Sequence, residues 1–162
     1  MNGRIALMSV TLLSLVACAF PQASYAQTRP LIGTWKLNLE KSKYAPGAAA
    51  PRSSTITYQP DGQNIKATQQ TIDAQGNAIT LVSMQIYDGL PHPVTGSPIY
   101  DATAYLRFAG NTIVFSRTKA GKLVATGTSV VSQDGNTLTT TLMGGINENV
   151  QLFNVIQVYD KQ

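Results

Sequence analysis

Gly33-Thr34-Trp35-Lys36-Leu37-Asn38 opens the folded part of the chain, and turn-punctuated strands follow it to the last residue. Glycine at position 33 lets the backbone approach closely where the chain enters the floor of a barrel. Trp35 can then close that end with a large apolar ring, its indole N–H seeking an acceptor. Outward from this stretch, strands are predicted over residues 33–38, 54–59, 64–72, 78–87, 102–108, 112–118, 122–131, 137–143 and 150–159. Residues 39–44 read as a helical turn or an irregular crossing. Two prolines, a glycine and a run of alanines make 45–51 a loop.

The punctuation between these segments is specific. Asp61-Gly62, Gly76-Asn77, Asp88-Gly89, Gly110-Asn111, Ala120-Gly121, Asp134-Gly135 and Gly144-Gly145 supply the positive φ that tight hairpins need. The segments are rich in Thr, Val, Ile and aromatic residues, and none beyond the N-terminal region keeps a helical period. Nine strands at roughly 8–12-residue spacing indicate a sandwich or a barrel. Short sequential hairpins favour the barrel, because Greek-key crossings need longer connections. The expected fold is all-β: an antiparallel up-and-down β-barrel of about 8–9 strands. Closure would also remove exposed sheet edges from a chain with only 12% charged residues.

The N-terminal region reads as an export signal. Arg4 is the sole charge in residues 1–26, residues 5–20 carry none, and Pro21 breaks the run before Ser24-Tyr25-Ala26. That is the charged, apolar and small-residue order of a secretory signal, with a cut before Gln27. The apolar run falls short of the roughly 20 residues that span a bilayer as a helix. Leu15-Val16-Ala17-Cys18 also matches a bacterial lipobox, in which Cys18 would be lipidated and anchor the protein to the envelope. The expectation is therefore a signal over 1–26 and one barrel domain over 27–162, periplasmic or secreted in location. The alternative is a lipoprotein of the outer or inner membrane.

Cutting before Gln27 leaves a chain without cysteine, so burial and sheet hydrogen bonds must stabilise it without disulfides. Its basic residues are scattered singly, without the clusters interleaved with aromatics that mark a nucleic-acid surface. His92 is the one histidine, which leaves no histidine cluster for a zinc ion. It sits in Pro91-His92-Pro93, where both prolines stiffen the backbone. Asp88 and Asp101 flank the same loop and could serve it as partners. There is no G-x-S-x-G elbow and no phosphate loop. Neither enzymatic activity nor a cofactor or metal is expected, and His92 reads as an exposed loop residue.

Gly33-Thr34-Trp35-Lys36-Leu37-Asn38 followed by Lys41-Ser42-Lys43-Tyr44 resembles the opening of small exported bacterial lipocalin-like proteins of uncharacterised function. Tyr87-Asp88-Gly89, His92-Pro93-Val94-Thr95-Gly96 and the ending Val155-Ile156-Gln157-Val158-Tyr159-Asp160-Lys161-Gln162 are similar to theirs as well. The resemblance covers most of residues 31–162. Gly-x-Trp is shared with the calycins, the lipocalin and fatty-acid-binding-protein group, which hold small apolar molecules inside barrels. A second lipocalin motif of the Thr-Asp-Tyr type is absent from this chain. The resemblance implies that a basic residue near the last strand covers the Trp35 indole, and Lys161 is the positional match.

A candidate binding wall follows from strand alternation. Ile113, Phe115 and Arg117 share one face of their strand by its two-residue period. If that face is the lumen, Arg117 could hold a carboxylate bidentately. Tyr58, Met84, Tyr105, Phe108, Phe153 and Tyr159 are further candidates for the wall. Two functions stay open at this point. One is a carrier of a small apolar or amphipathic, perhaps anionic, molecule, for which a lumen of several hundred Å³ is expected. The other is a packed barrel acting through its loops at 45–51 and 88–101, as an inhibitor or an envelope-assembly module.

Overall fold

The computed structural model describes residues 30–108, 111–145 and 152–162. The signal reading of 1–26 and the lipidation reading of Cys18 lie outside these residues. Ten strands form one closed antiparallel barrel: β1 (Gly33–Tyr44), β2 (Ser53–Asp61), β3 (Asn64–Ile72), β4 (Ala78–Gln85), β5 (His92–Thr95), β6 (Ala102–Arg107), β7 (Thr112–Lys119), β8 (Lys122–Val131), β9 (Thr137–Gly145) and β10 (Leu152–Lys161). Each strand pairs with its neighbour in sequence, and β1 closes the ring by pairing with β10 as well as β2. The described residues contain no helix, and none of their elements is a helix long and apolar enough to cross a membrane.

The up-and-down barrel expected from the hairpin punctuation is the fold observed, with two differences in detail. The tenth strand is β5, in the segment read as a stiff turn. It is four residues long and pairs through Ser83↔Val94 and His92↔Thr103. Its prolines hid it, since proline demotes a strand reading even where an edge-like short pairing tolerates it. The second difference is 39–44, which continues β1 through an irregularity between Asn38 and Lys43. Side chains bridge that irregularity: Asn38 Oδ1 accepts from the Lys41 N–H (3.1 Å), and Ser42 Oγ accepts from the Val158 N–H (3.0 Å).

Alternation sets the two faces of the sheet. Ser54, Ile56 and Tyr58 of β2 are buried, while Thr55 and Thr57 between them are half-exposed. Ile113 and Phe115 are buried on β7, and Val114 between them is exposed. The apolar core concentrates where β1 begins, around Trp35, Leu37, Ile65, Leu138 and Tyr159. We call this end the floor. The hairpin ends at 72–78 and 119–122 lie at the opposite end, the mouth, because β3 and β7 run from floor to mouth.

Candidate functional site

The floor is built from the segment that opens the folded chain. Trp35 is wholly buried, and its indole N–H donates to the Leu31 carbonyl oxygen at 2.8 Å. Lys161, paired with Trp35 in register, places Nζ 5.1 Å from the ring centroid and donates to the Pro30 carbonyl oxygen at 3.2 Å. Gly33 has φ +131°, and a Cβ there would stand 3.0 Å from Lys161 Cε. Glycine thus serves both the backbone angle and the passage of the lysine stem over the ring. The three residues read as a plug form one contact set, and none of them lines the cavity above.

That cavity has a volume of about 50 Å³. Tyr58, Tyr105, Ile113, Phe115 and Arg117 all line it, so the wall read from the two-residue period faces one space. The rings of Tyr105 and Phe115 are cross-strand partners with centroids 6.3 Å apart. Phe115 leans across Gly127 of β8, where a Cβ would meet its ring at 2.5 Å. Tyr159 lines the cavity too. Phe108 does not: it is 70% exposed, one residue past β6 and in phase with the exposed Leu106 rather than with the buried Thr103 and Tyr105. Met84 lies between the buried Ser83 and Gln85 and so belongs to the outer face. The Phe153 side chain lies outside the described residues.

Arg117 is the one ionisable cation of the lining, and no carboxylate stands among the lining residues described. Its guanidinium carbon lies 4.4 Å from the Tyr100 ring centroid and 5.0 Å from that of Phe115. Its Nε is buried without a hydrogen-bond partner. The register of β6 and β7 sets Thr103 directly opposite Arg117, and Thr103 Oγ1 is buried without a partner as well. These two are the buried unpartnered side-chain polar atoms among the described residues. The pairing of β7 with β8 shifts register between Arg117 and Thr118. Such irregularities re-aim the side chain beside them.

The rest of the lining is more polar than strand composition suggested. Gln69, Ser83, Gln85, Ser129, Thr140 and Gln157 all face the cavity. They join short side-chain contacts with the phenols: Ser83 Oγ lies 3.3 Å from Tyr105 Oη, and the Tyr159 hydroxyl donates to Gln157 Oε1 at 3.3 Å. Burial pushes the phenols of Tyr58 and Tyr159 far above the ordinary range, and that of Tyr100 in the same direction. The phenols are therefore neutral at physiological pH, donors and acceptors rather than anions.

Tyr100 is the lining residue that sequence reasoning missed most plainly. It sits in a connection, yet it is only 5% exposed. Ser97 Oγ accepts from the Ile99 and Tyr100 N–H groups, each at 3.3 Å, which folds the loop back over the mouth. Ser97 between Gly96 and Pro98 was the available signal for such a turn.

His92 forms an exposed pair with Asp88, its Nε2 lying 2.9 Å from Oδ2. The Leu90 N–H, followed by His92, holds the Asp88 carboxyl below its ordinary range. Asp101 is not part of this pair; its Oδ2 accepts from the Ala120 N–H at 2.9 Å. No group of three metal-ligating side chains occurs among the described residues.

No protein-family model matches the chain, and no curated protein sequence matches it. Among solved structures it is similar to Rv2717c from M. tuberculosis, with a TM-score of 0.54 and 16% identity over 82% of this chain and 93% of that one. It is also similar to zebrafish ileal bile acid-binding protein complexed with cholic acid, with a TM-score of 0.52 and 12% identity over 82% of this chain and 99% of that one. At these identities the likeness is one of fold: a closed antiparallel β-barrel.

Proposed function

We propose that the protein is an exported barrel that binds a small anionic molecule in its lumen, with Arg117 as the anchor. The observation that carries this reading is the buried, unpartnered Nε of Arg117, in a lining that offers no carboxylate to neutralise it. A buried guanidinium donor without an acceptor is costly, whereas a bidentate carboxylate satisfies both the charge and the fork of donors. The similar zebrafish barrel is complexed with cholic acid, which supports small-ligand binding as a use of this fold. The reading assigns no catalysis and needs no cofactor. Export rests on the sequence of residues 1–26, with the soluble periplasmic or secreted form preferred to the Cys18 lipoprotein.

The size of the cavity favours a second reading. About 50 Å³ is well below the roughly 300–1,000 Å³ of ordinary ligand pockets. It falls short of the several hundred Å³ expected for a carrier of a small apolar or amphipathic molecule. A barrel filled by its own side chains would instead act through its loops, as an inhibitor or an envelope-assembly module.

Calorimetry with a series of short carboxylates on the parent chain and on Arg117→Gln separates the two. The anion reading expects saturable binding that Arg117→Gln weakens by about 1.5–3 kcal/mol, the range for a hydrogen bond to a charged group. Absence of binding by a correctly folded parent would leave the filled barrel.

A further inference from the structure

The lining of the lumen does not suit an alkyl chain. Beside Arg117 it presents three glutamines and three aliphatic hydroxyls, at positions 69, 83, 85, 129, 140 and 157. Four tyrosines add phenol groups, and Ile56, Ala67, Leu81, Ile113 and Phe115 supply the apolar remainder. The polar groups are only partly used. Gln69 Nε2 donates to Ser54 Oγ at 3.0 Å, and Ser129 Oγ lies 2.9 Å from Thr140 Oγ1. An amide can make up to four hydrogen bonds and a hydroxyl three, more than the one or two these side chains make among themselves and with neighbouring hydroxyls. A polar cavity of about 50 Å³ has room for ordered water, which needs on the order of 10–15 Å³ and two to four polar partners. An alkyl chain would expel that water and leave the amides and hydroxyls facing methylene groups. A hydroxylated ligand would take over the bonds the water makes.

Resting on the anion-binding reading above, we infer that the lumen selects compact, hydroxyl-bearing carboxylates, the hydroxy acids and sugar acids, over alkyl carboxylates of the same length. The carboxylate lies on the Arg117 guanidinium, beside Thr103, between the faces of Tyr100 and Phe115. The hydroxyls reach toward the amide and hydroxyl groups deeper in the barrel. At matched length each added hydroxyl takes up room of its own, so the preference rests on polarity and not on size.

The test is a matched series titrated calorimetrically into the full chain, in a buffer free of carboxylate and phosphate. Lactate is compared with propanoate, and gluconate with hexanoate, so that carbon number is constant within each pair. Arg117→Gln is titrated in parallel after circular dichroism has shown it folded. The inference expects the hydroxylated member to bind at least ten-fold more tightly in one pair or both, with binding weakened in Arg117→Gln. A preference below ten-fold in both pairs, or a reversed one, overturns the selectivity while Arg117 dependence keeps the anion site. No binding of any of the four by the parent, or equal binding by Arg117→Gln, overturns both.

Discussion

Trp35 and Arg117 stand toward opposite ends of the barrel and show how differently the needs of a large inward-facing side chain can be met. Trp35 has every need met: its ring is wholly enclosed, its N–H is bonded, and Lys161 covers one face. Trp35→Ala should therefore destabilise the fold by about 3–5 kcal/mol, as expected for emptying a large aromatic site. Urea denaturation measures this, and a loss below about 1 kcal/mol would place the ring outside the core. Arg117 has its charge stacked on rings but its Nε left without a partner. The tyrosines between these two residues make a prediction for alkaline pH. Burial raises the Tyr58 and Tyr159 phenols in the folded chain, whereas unfolded phenols titrate near about 10. Their contribution to stability is complete below that value and is lost as pH rises above it toward the folded pKa values. Absorbance of phenolate followed together with circular dichroism should show these tyrosines ionising only as the barrel unfolds. Their ionisation near 10 in an intact barrel would mean that water reaches them freely.

At the scale of the element, the hairpin turns and the period of β7 were legible in the sequence. Glycine pairs with Asp or Asn mark a turn whatever surrounds them, and Ile113, Phe115 and Arg117 alternate cleanly with polar or small neighbours. The inward direction of Gln69, Ser83 and Thr140 was not legible. In strands where polar and apolar residues occupy both faces, two-residue alternation cannot say which set is inside. Tyr100 was hidden for another reason, since only the turn at Ser97 returns that connection to the mouth. The packing of β7 on β8 yields a direct prediction. A Cβ at Gly127 would come within 2.4 Å of the Thr141 carbonyl oxygen and 2.5 Å of the Phe115 ring. Gly127→Ala should lower stability by about 1–3 kcal/mol, the usual range for overpacking. It should also perturb near-ultraviolet dichroism by displacing Phe115 from Tyr105. An unchanged melting temperature would show that Phe115 does not lie across β8.

At the scale of the whole molecule, ten strands in sequence order close a barrel without help from a disulfide, since the chain's one cysteine is Cys18. Closure shortens the exposed sheet edge that could template aggregation to the stretch around β5, which pairs two residues with β4 and two with β6. Processing belongs to this scale as well. The order of charge, apolar run and Ser24-Tyr25-Ala26 predicts that the exported chain begins at Gln27. Intact-mass measurement on exported protein checks it, and an acylated species beginning at Cys18 would replace the soluble form with the lipoprotein. The central claim, that the lumen holds an anion on Arg117, is tested most directly by nuclear magnetic resonance of the Arg117 Nε–H group, assigned by its loss in Arg117→Gln. Titration with lactate and gluconate should move this resonance saturably, with the midpoint matching the calorimetric affinity. A resonance that stays in place while the protein binds these acids, or that never responds to any carboxylate, would contradict the account.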